Sequence, residues 1–205
     1  MADPTRYPIP ARAHRVEGGV LRSRFITSAA HAPDAEAAHA IIDRIRSEMP
    51  DATHHCWAFV AGPPGSTAQI GMSDAGEPHG TAGRPMLSTL LHGGVGEIVV
   101  VCSRYFGGTK LGTGGLARAY ADGVKQVLAS LPTVEKVERV RVSVRLVYGE
   151  VDAVLRIARE LGALVEGEEY GSDVRYLLAV PVGELAVLEA AVAEITQGRG
   201  KVERT

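Results

Sequence analysis

The second part of the chain carries a hydrophobic pattern that few folds can satisfy. Residues 138–147 alternate strictly between apolar side chains and arginine or serine, which predicts a half-buried strand. Two helices and three strands follow in the order helix, strand, strand, helix, strand, at residues 151–161, 163–170, 173–182, 184–197 and 201–204. This βαββαβ order predicts a ferredoxin-like domain, because short connections between consecutive elements leave few other topologies.

Glycine sets the first part of the chain apart, since residues 62–119 hold 14 of the 24 glycines. Glycine weakens helices and strands, so this density indicates backbone conformations or close approaches that need it. Beyond residue 132 the glycine-rich sequence gives way to short segments with a regular apolar pattern. This change places a domain boundary near residues 132–138. We therefore predict an α+β chain with a tail at 1–14, a first domain at 15–132 and a second domain at 136–205.

Strands and helices also alternate in the first domain. A turn at Gly18-Gly19 is predicted to precede the first strand. Asp34 is the predicted N-cap of a helix whose apolar residues fall on one face and which ends at Pro50. The other strands are predicted at 53–61, 69–73 and 97–103 after a first strand at 21–28, and the other helices at 81–91 and 116–131.

Composition and length exclude several classes of protein. The chain has 205 residues, of which 45% are apolar and 22% charged, as in a globular protein and unlike a disordered or fibrous one. No apolar run approaches the roughly 20 residues of a membrane span, and residues 1–19 lack the apolar core of a signal peptide. Two cysteines are too few for a disulfide scaffold. We therefore expect a cytoplasmic protein that does not bind membranes.

Residues 103–120 are the strongest candidate for a binding site. This segment leaves a predicted buried strand, crosses a glycine-rich loop and enters a helix, whose first amides are unpaired and partly positive. A net charge of −2 means that nucleic-acid binding would need such a local basic site. Phosphate is the natural ligand, beside an aromatic stacking surface. The predicted ligand- or anion-binding residues are Arg84, Arg104, Tyr105, Phe106, Gly107, Gly108, Lys110, Gly112, Gly114, Gly115 and Arg118.

The same segment also has a purely structural interpretation. The glycines of residues 107–115 would then serve only a tight strand-to-helix turn, and both interpretations carry equal weight. Known phosphate motifs fit poorly. The P-loop pattern is absent, and residues 112–117 match GxGxxA without the second βαβ half of a dinucleotide-binding fold.

Asp74 and Glu77 are the acidic residues of the glycine-rich region. They are candidates for metal binding or for a general base. The favoured interpretation is structural, with Asp74 capping a turn and Glu77 forming a salt bridge to an arginine. The carboxylates would then hold Arg84, Arg104 or Arg118 in place.

Histidines and cysteines raise a further possibility. Four residues are of zinc-ligand type: His54, Cys56, His79 and Cys102. No metal-ligand spacing links them, and nothing marks Cys102 as a nucleophile. Buried cysteines usually pack as small hydrophobic side chains, so packing is favoured. We expect no metal, no cofactor and no catalytic residue.

The strand at 138–147 presents a basic stripe of Arg139, Arg141 and Arg145 on one face. A sheet that reads RNA needs aromatic side chains on such a face, and this strand has none. A solvated surface is therefore the favoured interpretation of the stripe.

Three long motifs carry a family resemblance. They are HHCWAFVAG at 54–62, SDAGEPHGTAGRPML at 73–87 and VVVCSRYFGGTKLGTGGLARAY at 99–120. They closely resemble the IMPACT/YigZ family, and LRSRFITSAAH at 21–31 is similar to the first strand of its domain. The match spans about residues 15–130. Ala75 departs from it, because many members have aspartate there, which weakens any metal site built on paired acids.

The resemblance implies a ribosomal-protein-S-five-domain-two-like α/β sandwich for the first domain. The second domain resembles that of bacterial members, which is similar to a domain of translational elongation factors. Eukaryotic members are translation regulators acting through protein partners. For bacterial members the fold suggests binding of nucleic acid or the ribosome, which is analogy and leaves the function open.

Three functional hypotheses follow. The favoured one is a non-catalytic, translation-associated regulator that binds RNA or the ribosome through the basic glycine-rich loop. The second is an enzyme or sensor that binds a phosphorylated small molecule at the same loop, although the sequence marks no catalytic base. The third is a protein–protein adaptor that docks through an apolar surface of the second domain. The oligomeric state stays open.

Overall fold

The computed structural model describes residues 5–205. The chain divides into two compact units, with the division between Lys136 and Val137. Its strands are β1 (Arg6–Pro10), β2 (His14–Val20), β3 (Ser23–His31), β4 (His54–Val60), β5 (Ile70–Ser73), β6 (Ile98–Tyr105), β7 (Thr133–Val137), β8 (Arg139–Leu146), β9 (Leu164–Tyr170), β10 (Val174–Pro181) and β11 (Val202–Arg204). Its helices are α1 (Ala35–Glu48), α2 (Gly83–Leu91), α3 (Gly112–Ser130), α4 (Val151–Glu160) and α5 (Leu185–Ile195).

An antiparallel five-stranded sheet forms the centre of the first unit, in the order β2-β3-β6-β4-β5. The central strand β6 is buried on both faces, as its β-branched run predicts. Val99 and Val101 pack towards α1, whereas Val100 and Cys102 pack towards α2 and α3. The sheet is therefore covered by helices on both sides, and its loops remain at the edges where a site can form.

Helix α1 begins where the sequence predicts. The Asp34 side chain accepts a hydrogen bond from the backbone N–H of Ala37 at 2.8 Å, which confirms Asp34 as the N-cap. Ala38, Ile42 and Ile45 are buried against the sheet. Spacing of three and four residues places these side chains on one face of the helix.

The predicted turn at Gly18-Gly19 is wrong, because both glycines lie within β2. The chain reverses at Leu21-Arg22, whose φ angles are 44° and 67°. Two left-handed residues between paired strands define a type I′ hairpin, which normally uses asparagine and glycine. The hairpin packs closely on the loop after β6, since a Cβ on Gly107 would lie 2.0 Å from the Arg22 carbonyl oxygen.

The first residues also differ from the expected tail. Residues 6–10 form β1, which pairs with β7, and Tyr7 is buried. Residues 1–4 of the predicted tail lie outside the described residues. Strand β7 was not predicted either, because its partner is more than a hundred residues away in the chain.

A buried carboxylate holds this two-stranded sheet to the rest of the first unit. Glu97 accepts hydrogen bonds from the Tyr7 hydroxyl at 3.1 Å and from His31 Nε2 at 2.7 Å, and it forms an ion pair with Lys136. Burial alone would raise the pKa of Glu97. The hydrogen bonds from Lys136 and His31 outweigh burial and hold the pKa below its usual value.

The second unit has the predicted βαββαβ order. Its antiparallel sheet runs β11-β8-β10-β9, and α4 and α5 pack on one face of it. Arg141 and Arg145 lie exposed on the other face, where they pair with Glu166 at 2.8 Å and Asp173 at 3.7 Å. The basic stripe is therefore largely matched by acids, as a solvated face would be. Among residues 5–205, no helix is both long and apolar enough to cross a bilayer.

The strained hairpin gives a stability prediction. Replacing Leu21-Arg22 by Asn-Gly should raise the free energy of unfolding by about 1 kcal/mol, because both residues tolerate positive φ. Urea unfolding followed by the fluorescence of Trp57, the single tryptophan, measures this for the first unit. Arg12→Gly is the control at an exposed position without positive φ, and it should lower stability. If the Asn-Gly variant had an unchanged or lower free energy of unfolding, the interpretation of this hairpin as strained would be contradicted.

Candidate functional site

A cavity of about 440 Å³ lies in the first unit, within the size range of small-ligand pockets. It is bounded by the first residues of β4, the loop after β5, the last residues of β6 and the start of α3. The lining residues are Thr53, His54, Glu77, Pro78, Arg104, Phe106, Lys110, Leu111, Gly112, Thr113 and Leu116. Five of the predicted site residues are therefore brought together: Glu77, Arg104, Phe106, Lys110 and Gly112.

Arg104 is not the exposed phosphate contact that the sequence suggested, because only 5% of its surface is accessible. Its Nη1 donates to Glu77 Oε1 at 2.6 Å and its Nη2 donates to Ser23 Oγ at 3.2 Å. The guanidinium carbon lies 5.5 Å from the ring centre of Phe25 and 5.4 Å from that of Phe106. The Arg104 charge is thus compensated within the protein, which explains why this arginine can be buried.

Glu77 is held from two sides. Its Oε1 also accepts a hydrogen bond from the Tyr120 hydroxyl at 2.8 Å, and burial raises the pKa of Tyr120 far above its usual value. Within the described residues, Arg104 Nε is the single buried side-chain nitrogen or oxygen with no hydrogen-bond partner. A buried donor without an acceptor is costly. This unmatched donor belongs to a residue in the cavity wall.

Asp74 caps a helix from a distance. Its carboxylate accepts hydrogen bonds from the backbone amides of Gly80, Ala82 and Gly83 at 2.7, 2.9 and 2.8 Å, at the start of α2. Burial alone would raise the pKa of Asp74, but these amides outweigh it and lower the pKa. This is the structural role favoured for the acidic residue. Among residues 5–205, no three His, Cys, Asp or Glu side chains are grouped to hold a metal ion.

The start of α3 is open to a ligand. The helix begins at Gly112, four residues before the predicted Leu116, so Gly114 and Gly115 belong to its first turn. Glycine's low helix propensity hid this start in the sequence. Leu111 at the N-cap offers no side-chain hydrogen bond, and the first turn has no acidic residue. These amides are unpaired and carry partial positive charge, the usual setting for a bound anion.

Other predicted site residues do not line the cavity. Tyr105 points to the opposite face of the sheet, where its hydroxyl donates to Asp51 at 3.3 Å and its ring lies against Arg24. Arg84 and Arg118 are exposed and, among the described residues, have no ion pair. The remaining loop glycines serve the backbone: Gly107 packs against Arg22, and Gly108 has a φ of 84°.

His54 is the titratable residue among the cavity residues that sequence reasoning did not assign to the site. Its Nδ1 lies 2.9 Å from the Ala75 carbonyl oxygen. A carbonyl oxygen only accepts hydrogen bonds, so Nδ1 must carry a proton and the unengaged ring nitrogen is Nε2. His54 faces Arg104 across the β4–β6 ladder. Only the pairing register reveals this proximity, since fifty residues separate the two in the chain.

The two cysteines are packing residues. Cys56 and Cys102 are opposite each other on β4 and β6, and both are fully buried. Burial raises the pKa of each thiol to about 12, so neither is a thiolate near neutral pH. The Cys56 thiol donates to the Asp74 carbonyl at 2.9 Å, and the His79 side chain is fully exposed. This arrangement agrees with the favoured packing interpretation.

Comparison with known proteins supports the resemblance seen in the sequence. Residues 21–128 match the Impact N-terminal domain, and residues 144–199 match a domain of unknown function, DUF1949. The chain is 40% identical over 190 residues to IMPACT family member YigZ of Escherichia coli K12, covering 93% of each chain. The chain belongs to the IMPACT family. The predicted family membership and the α+β fold are therefore confirmed.

Further relatives are similar to this IMPACT family chain over nearly its whole length. An IMPACT family member of Haemophilus influenzae is 38% identical over 193 residues and covers 94% of both chains. A solved structure titled as a hypothetical protein is 38% identical, with a TM-score of 0.70 over 98% of each chain. The similarity thus extends over nearly the whole of the chain and of these relatives, whereas their names assign no reaction or ligand.

The buried ion pair gives a testable prediction. Arg104→Met should lower the free energy of unfolding by about 3–5 kcal/mol, because it leaves the Glu77 carboxylate buried without its cation. Adding Glu77→Gln to this variant should recover at least half of the loss, since glutamine still accepts from Tyr120. Urea unfolding monitored at Trp57 measures both variants. Additive effects of the two single substitutions, with no recovery in the double variant, would contradict the coupling.

Proposed function

We propose that this IMPACT family chain binds a nucleoside phosphate, free or as part of an RNA chain, in the cavity beside α3. The observation that carries the proposal is the convergence of an exposed cation, an open helix N-terminus and a half-exposed aromatic ring on one cavity. Each of these features suits a different part of a nucleotide. Their combination favours this ligand class over an anion or an apolar molecule alone.

The phosphate would lie at the start of α3. Lys110 is exposed and lines the cavity immediately before the helix. Within residues 5–205 it has no ion pair, so its charge is available to a ligand. The backbone amides of the first turn of α3 direct their partial positive charge towards the same part of the cavity as Lys110. Charge-assisted hydrogen bonds from an ammonium and from backbone amides are the standard means of holding phosphate.

The base would stack on Phe106. The ring is 48% exposed, although it is a large apolar side chain that would normally be buried. Arg104 lies against it, which fixes the ring at the cavity wall. Stacking of a base on an aromatic ring tolerates any base and contributes about 1–3 kcal/mol. The exposed ring therefore gives the site a second, non-electrostatic contribution to affinity.

The RNA form of this proposal retains the translation-associated role suggested by the family resemblance. Arg84 and Arg118 would supply additional phosphate contacts outside the cavity. Residues 1–132 carry twelve basic and eleven acidic side chains, so no broad positive field attracts nucleic acid. Affinity would then depend on the cavity itself. RNA or ribosome binding and a cytoplasmic location stay predictions.

The adaptor hypothesis finds less support. It expects an apolar surface on the sheet of the second unit. The open face of that sheet carries Arg141, Arg145 and Arg175 paired with acidic residues, and exposed Leu164 beside them. A charged, paired surface of this kind is ordinary for a solvated sheet face.

Binding measurements on the full chain test the proposal. Isothermal titration with adenosine monophosphate and with a short single-stranded RNA, at low and physiological salt, should show binding of at least one ligand. Lys110→Ala should weaken affinity about tenfold by removing a charge-assisted hydrogen bond, and Phe106→Leu by a similar factor through lost stacking. Binding of RNA alone, with a steep salt dependence, would identify the polymer as the ligand.

Lys125→Ala is the matched control for these variants. Lys125 is an exposed lysine of α3 that pairs with Asp122 and does not line the cavity. The Lys125→Ala variant should have the same affinity as the wild type for each ligand that the wild type binds. The proposal would be overturned if neither ligand bound at low or at physiological salt. It would also be overturned if the Lys110, Phe106 and Lys125 variants all bound with equal affinity.

A further inference from the structure

The cavity contains one histidine whose orientation is fixed by the backbone. Because His54 Nδ1 donates to the Ala75 carbonyl, the ring cannot present that nitrogen to a ligand. The Ala75-Gly76 turn that supplies the carbonyl is itself constrained, with φ angles of 45° and 87°. Gly76 packs closely on the ring, since an added Cβ would lie 3.2 Å from His54 Nδ1. The turn therefore fixes the ring and leaves Nε2 as its free nitrogen.

We propose that His54 Nε2 is a ligand contact of the nucleotide site and that its protonation strengthens the binding of the phosphate group. This inference rests on the proposed function, because it concerns the same cavity. The neutral ring presents a lone pair at Nε2, whereas the imidazolium presents an N–H donor and a positive charge. A phosphate group prefers the second form. The chain would thus bind its ligand more tightly when this ring carries a proton.

Two cations and one carboxylate share the cavity with His54. Arg104 faces it from β6, and Lys110 lines the same cavity from the loop before α3. Glu77 also lines the cavity, but its carboxylate is committed to Arg104 and Tyr120. Arginine and lysine remain cations up to strongly alkaline pH. Neither cation therefore loses its charge near neutral pH, so neither gives the cavity a pH dependence there.

Other titratable groups near His54 do not substitute for it. Burial raises the pKa of Cys56 to about 12, so its thiol stays neutral. Amide hydrogen bonds keep the pKa of Asp74 low despite its partial burial, so its carboxylate stays charged. His55 lies on the opposite face of β4 against Ser103, and burial lowers its pKa. His79 is fully exposed, 3.8 Å from Asp74, and does not line the cavity.

A probe of constant charge tests the inference. A phosphate monoester loses charge near pH 6, so its own titration would obscure that of the protein. A dinucleotide with a single phosphodiester keeps one negative charge throughout. We expect its affinity for the full-length wild type to rise about tenfold between pH 8 and pH 5.5, in proportion to one charge-assisted hydrogen bond.

His54→Asn should abolish this pH dependence, so that the variant binds the dinucleotide equally well at pH 5.5 and at pH 8. Asparagine retains an N–H donor for the Ala75 carbonyl but does not titrate, so the turn keeps its contact. His55→Gln and His79→Gln are the matched controls and should retain the pH dependence. A flat pH profile of the wild type, or an unchanged profile of His54→Asn, would overturn the inference. Absence of dinucleotide binding at every pH would instead overturn the proposed function.

Discussion

The ion pair between Arg104 and Glu77 is the interaction on which the site of this IMPACT family chain depends. It joins the last part of β6 to the loop after β5, and Ser23 of β3 and Tyr120 of α3 add one hydrogen bond each. Two charges buried this deeply are stable only when each compensates the other. The pair therefore fixes the position of four elements at once. The cavity and the orientation of Phe106 follow from it.

Much of the fold was predictable because local patterns and tertiary packing agree. Strict alternation over residues 138–147 and apolar spacing in the helices gave the second unit its correct element order. The errors fall where distant residues decide the local structure. The hairpin at Leu21-Arg22 is shaped by contact with Gly107, and β1 forms because β7 and Glu97 hold it. No local signal records such contacts.

The candidate site was predictable in its location but not in its organisation. The glycine-rich loop, Lys110 and Phe106 were identified because a basic, aromatic loop before a helix suits phosphate. The burial of Arg104 and the membership of His54 depend on the β4–β6 register. The pairing register brings together residues that are far apart in the sequence. The sequence alone does not give that register, so it reveals neither the burial of Arg104 nor the place of His54 in the cavity wall. Tyr105 was predicted because it lies between Arg104 and Phe106 in the sequence. It does not line the cavity, since alternation along β6 turns it to the other face of the sheet.

Amide chemical shifts of the isotopically labelled full chain, titrated with the phosphodiester dinucleotide, test the central claim most directly. If the nucleotide lies at the open start of α3, the largest shifts fall on the amides of residues 110–115, with smaller shifts at His54 and Phe106. Amides of residues 137–205 should change little. Shifts confined to the second unit, or no shifts at saturating dinucleotide, would contradict the account.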